Sequence, residues 1–80
     1  MIALNLPGKA PIEVKDRGVL KATLFDLADK IGGAEADTET KVKKLTQLFE
    51  VNEKSLNSIG PDLYLDVKNK INDVIRGLLA

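Results

Sequence analysis

The sequence predicts a mainly α-helical domain with a minor β part, on three observations. Apolar residues recur three or four positions apart from Leu63 to Leu78, the spacing of one buried helix face. Aromatic residues make up 4% of a chain that is 44% hydrophobic, so the core must be built from Leu, Ile, Val and Ala, a set that suits helices better than a β-sandwich. Period-two alternation is confined to residues 2–15. The expected architecture is one small domain over 1–80. In it, 1–18 is a short N-terminal β-hairpin or extended arm, followed by three helices, the last one long (about 61–79).

Ile2, Leu4 and Leu6 alternate with Ala3 and Asn5, which gives a strand with one buried face. Pro7 ends it. The stretch from Pro7 to Pro11 reads as a five-residue connection, and Ile12-Glu13-Val14-Lys15 alternates again as a second strand. An isolated two-stranded hairpin is marginal in water, so this one has to lie on the helices. Asp16-Arg17-Gly18 reads as a turn. Val19 to Leu24 reads either as a third strand or as the first turns of a helix. Thr23-x-x-Asp26 is a capping box with Asp in place of Glu, and it places the helix start between Val19 and Leu24. Leu24, Leu27, Ala28 and Ile31 then line one face, and Gly32-Gly33 stops the helix.

Asp37 or Thr38 caps the second helix, with Glu39 favourable in its first turn and Val42, Leu45, Leu48 and Phe49 as its apolar stripe. It is expected to fade near Val51-Asn52. Glu53 to Ser58 then makes one short helical turn fixed by Leu56 and Ile59. Gly60-Pro61 opens the last helix, since proline at the first helical position lacks only a donor that would be orphaned anyway. Asp62 and Asp66 sit near the positive end of its dipole and Arg76 near the negative end. Leu63, Val67, Ile71, Val74 and Leu78 face inward along a length of roughly 27 Å, so the rest of the chain is expected to pack along this helix.

A chain of 80 residues buries only about 60 to 65% of its unfolded surface, so the core is small. With no cysteine and no histidine, neither disulfides nor a thiolate or imidazole zinc site can staple it. Twelve basic and twelve acidic residues cancel, which argues against general nucleic-acid binding. Lys41, Lys43 and Lys44 follow Glu35, Asp37 and Glu39 and read as a solvated mixed face. No apolar run approaches the ~20 residues that span a bilayer, and the N-terminus lacks a basic region followed by an apolar run and a cleavage site. The cytoplasm is the expected compartment.

Catalytic chemistry finds little footing. Pro7-Gly8-Lys9 lacks the further glycines and the Ser or Thr of a phosphate loop and reads as a turn. Asp62 and Asp66 lie one helical turn apart without the other oxygens that a calcium site needs. An acid and base would have to come from Asp, Glu, Lys or Tyr64, and nothing in the spacing brings two of them together. No enzyme activity, cofactor or metal is expected. The informative excess is apolar: Tyr64, Leu65, Ile75 and Leu79 widen the apolar arc of the last helix beyond one stripe. Tyr64, Ile75 and Leu79 are therefore the candidate protein-binding residues, for a partner or for self-association, with core packing as the rival role.

The order of these pieces resembles the small tail assembly chaperones of contractile-tailed phages and prophages. The residues that carry the resemblance are Pro11-Ile12, Thr23 with Asp26-Leu27, Leu45, and Leu48-Phe49-Glu50-Val51, then Ser55-Leu56, Ile59, Pro61-Asp62 and Val74-Ile75. The chain departs from that pattern in the short join between its first two helices and in Gly60-Pro61. The resemblance implies a non-enzymatic helper that binds the tape-measure protein in the host cytoplasm and is absent from the finished particle. Two alternatives remain beside it: a helical interaction or inhibitor module for another cellular protein, and a small nucleic-acid binder.

Overall fold

The N-terminal alternation forms a hairpin. A computed structural model, describing residues 1–80, pairs β1 (Ile2–Leu6) antiparallel with β2 (Lys9–Val14), placing Ile2 opposite Val14 and Leu4 opposite Ile12. The connection is shorter than the five residues expected. Leu6 faces Lys9, which leaves only Pro7 and Gly8 in the turn. Proline presets φ at the first corner and Gly8 takes φ +70° at the second, a conformation open to glycine, so two residues reverse the chain. Pro11 is thereby drawn into β2. There Asn5 stands against both Ala10 and Pro11, a bulge at which a missing N–H is tolerated.

Helix α1 spans Arg17–Gly33 and begins ahead of the expected window. Its cap is Asp16, whose Oδ1 accepts a hydrogen bond from the Val19 N–H at 3.0 Å. Thr23 lies inside the helix, so Thr23-x-x-Asp26 is not a capping box; Asp16 has already satisfied a first-turn donor. Val19 to Leu24 is helical, and the helix ends at the predicted glycines.

Helix α2 spans Thr38–Ile59 and α3 spans Pro61–Leu79. Asp37 caps α2, accepting from the Thr40 N–H at 2.7 Å. The expected break at Val51-Asn52 is absent, and α2 runs through it for 22 residues. The physical reason is that Asn52 falls on the inner stripe with Leu45, Leu48 and Leu56, where its amide finds partners that a cap would not offer. The long last helix has its predicted limits, with Leu63, Val67 and Ile71 buried and Val74 and Leu78 partly so.

The three helices run up, down and up. Arg17 pairs with Asp62 and Lys21 with Asp66, each at 3.0 Å, and Asp29 with Lys70 at 2.8 Å, so α1 and α3 lie parallel along a charged seam. Within it Phe25 lies between the Lys21 and Lys70 ammonium groups, each 5.6 Å from its ring centre. Eleven buried hydrophobic residues drawn from all five elements form one core. β1 lies against α2 and α1, while β2 is the outer strand. Leu4 is sealed, whereas Ile12, which shares its face, overhangs the helices and stays 44% exposed.

Candidate protein-binding surface

The three residues predicted on α3 differ in their surroundings and exposure. Tyr64 sits in the seam between α2 and α3. Its ring centre is 5.5 Å from that of Phe49, and its hydroxyl donates to Glu53 Oε2 at 3.1 Å. That acceptor holds the phenolic proton and raises the Tyr64 pKa above its ordinary value. Ile75 is half-buried against the core. Leu79 is 67% exposed. Eleven positions separate Tyr64 from Ile75, about 16 Å or three turns along α3, so the two lie on the same side of the helix, and of the three residues Leu79 alone is exposed. Leu65, 53% exposed, stands apart from Leu79 by a still longer stretch of the same helix.

A continuous recess lies elsewhere, between α1 and α2 under the hairpin turn. Leu20, Leu24 and Ala28 point α1 into the core, whereas Leu27 and Ile31 are only half-buried. With Leu6 and Leu48 they line the recess, which holds about 350 Å³ and is walled by Pro7 and Gln47. It continues past Ile31 into a second recess of about 190 Å³ that reaches Ala34 and Ala36. The far end is fixed by Lys41, whose ammonium donates to the Gly32 carbonyl at 2.9 Å and so ties the start of α2 to the end of α1.

The wall formed by the hairpin is held by an amide clip that the sequence reading missed. Asn52, 2% exposed, accepts from the Asn5 N–H at 2.9 Å and donates to the Asn5 carbonyl at 2.9 Å, as a neighbouring strand would. Its second amide hydrogen goes to the Leu48 carbonyl at 2.8 Å, and the Asn5 side chain donates to the Val51 carbonyl at 2.9 Å. The helix thus completes the free edge of β1 and sets the hairpin turn beside Leu48. An Asn standing where the stripe Leu45, Leu48, Leu56 calls for an apolar residue was the available signal.

Charge is distributed unevenly around these features. Asp62 accepts twice from the Arg17 guanidinium, at 3.0 Å to each oxygen, and this holds its carboxyl below the usual range. The hydrogen bond from Thr40 does the same for Asp37. The recess between α1 and α2 carries lysines and no carboxylate on its walls. No three carboxylates come together as a metal site, and Asp62 and Asp66 are each occupied by a cation on α1. No helix is long and apolar enough to cross a membrane. The chain matches no protein-family model, no curated protein and no solved structure.

Proposed function

We propose that this protein is a non-enzymatic helper that binds another polypeptide, with phage tail assembly as its context and a tape-measure protein as its partner. The context comes from the family resemblance. The observation that supports the binding role is the apolar recess lined by Leu6, Leu27, Ile31 and Leu48, which the chain leaves unfilled by its own side chains. A recess of this form accepts the side chains of a chain laid between two helices, the mode in which helices are recognised in grooves. Binding on this reading uses the α1–α2 face rather than Tyr64, Ile75 and Leu79 of α3, and Leu79 serves as the comparison position.

The test places a photo-crosslinking side chain at Gln47, on the rim, and another at Leu79, with a tape-measure protein co-expressed. The expected result is crosslinking from Gln47 into defined segments of the partner, with little from Leu79. Equal labelling from both sites, or none from Gln47, would remove the recess from the binding role.

A further inference from the structure

In a chain whose charges cancel overall, the α1–α2 recess has a one-sided rim. Lys9 and Lys44 stand on the first part of it, and Lys30, Lys41 and again Lys44 on the second. Lys30 is paired with Asp26 on its own helix and Lys41 is held by the Gly32 carbonyl, but Lys9 and Lys44 make no ion pair. Asp29, Asp62 and Asp66 are taken up by the seam between α1 and α3, while Glu35, between Ala34 and Ala36, and Glu50, which shares a neighbouring recess with Pro7 and Gln47, flank the groove outside its lining. The lining itself is thus an apolar floor edged by two lysines, Lys9 and Lys44, that make no ion pair, and by no carboxylate.

We infer that this groove docks an acidic amphipathic segment of the partner chain, with apolar anchors flanked by Asp or Glu. The inference rests on the polypeptide-binding reading and names the chemistry of the partner. The two recesses share Leu27, Ile31 and Lys44, so they form one groove with two depressions. From Leu27 to Ala34 the groove follows α1 for about 10 Å, or two helical turns, which matches anchors at i and i+4 or i+7 on the incoming segment. Carboxylates beside those anchors meet Lys9 at the hairpin end and Lys44 midway along the groove. Charge complementarity of this kind steers association and sets the direction of docking. A nucleic acid fits less well, because the groove has no aromatic side chain on which a base could stack and its floor offers nothing to phosphate.

The experiment measures anisotropy at low salt with labelled peptides of about 12 residues, long enough for three helical turns. One carries Leu anchors with flanking Glu, one has Lys in place of Glu, and one keeps Glu but has Ser in place of Leu. A single-stranded oligonucleotide is the fourth probe. The acidic peptide is expected to bind about tenfold or more tighter than the basic one, and the Ser peptide not to bind. In a Lys9→Glu, Lys44→Glu double variant the preference should reverse. Both lysines are exposed, so the fold tolerates the change. Equal binding of both charged peptides would overturn the inference while leaving polypeptide binding intact. Binding of the Ser peptide or of the oligonucleotide alone would show mere charge attraction, and binding of none of the probes would also sink the proposal. Self-association that disappears in the double variant would assign the groove to a second copy and overturn it likewise. Crosslinking from Gln47 judges the underlying reading separately.

Discussion

Asn52 shows how one side chain decides the assembly. Its amide holds the Asn5 N–H and carbonyl and the Leu48 carbonyl in a place sealed from water. Asn52→Ala should therefore cost about 2 to 4 kcal/mol in denaturant unfolding, through unpaired backbone groups and a cavity. Asn52→Asp should be at least as damaging at neutral pH, because it loses the donor and sets a charge against two carbonyls, and the damage should lessen as the carboxyl takes up a proton in acid. Asn57→Ala, on the exposed side of the same helix, should leave unfolding nearly unchanged. Sequence reasoning went wrong here because Asn is a common helix cap, and only the opposing strand reveals that an amide is wanted on this stripe. Aliphatic residues were more legible, as their spacing alone identifies the inner face. Ile71, 3% exposed, should cost roughly 2 to 5 kcal/mol when changed to Ala, while Lys68→Ala should fall within about 0.5. Similar midpoints for those two variants would place the wrong face inside.

At the scale of elements, the parallel seam between α1 and α3 makes two checkable claims. A Cβ built on Gly32 would come within 2.7 Å of Val74 Cγ1, and a β-branched residue in a helix has little rotamer freedom to move aside. Gly32→Ala should lower stability by about 1 to 3 kcal/mol, whereas Gly77→Ala, in open space on α3, should raise it by about 0.5 to 1. The reverse order in thermal melts would mean that the two helices do not meet at this point. The second claim concerns acid. Asp62 has its folded pKa lowered by Arg17, so the stability it contributes is present above the ordinary carboxylate value near 4 and is lost as pH falls through the lowered one. Arg17→Gln should remove that part of the acid-induced loss, so its melting temperature should fall less steeply than the wild type's below about pH 4. Parallel acid limbs for the two proteins would show the pair to be energetically silent. None of this seam was visible in the sequence. Asp62 and Asp66 look like dipole residues on one helix, and their partners lie 45 positions earlier. The start of α1 and the length of the hairpin turn were misplaced for a related reason: several Asp, Thr, Gly and Pro residues offered local signals, and pairing across the chain selected among them.

For the whole molecule, three helices share the core along their lengths, while the hairpin joins them mainly through β1, with Leu4, the Asn5–Asn52 clip and Val14 at the end of β2 as its fastenings. The fold class and the long last helix were readable because periodicity is a property of each segment by itself. The groove was not readable, because it is made by Leu6, Leu27 and Leu48 from three separate elements. The same division predicts a hierarchy of opening. Regions anchored by few buried contacts exchange their amide hydrogens through openings cheaper than global unfolding. Backbone amides of β2 should therefore exchange well before those around Leu45, Leu63 and Val67 in native-state hydrogen exchange. Asn52→Ala should speed the hairpin amides by more than it speeds the helix amides, since the helices keep their mutual packing when the clip is lost. Uniform exchange across hairpin and helices, changing together in the variant, would instead make the molecule a single cooperative unit. The distinction bears on binding, because Leu6 and Pro7 form one wall of the groove. If the hairpin opens on its own, that wall can shift without unfolding the helices, and partner affinity should then fall in Asn52→Ala even under conditions where circular dichroism shows the helices intact.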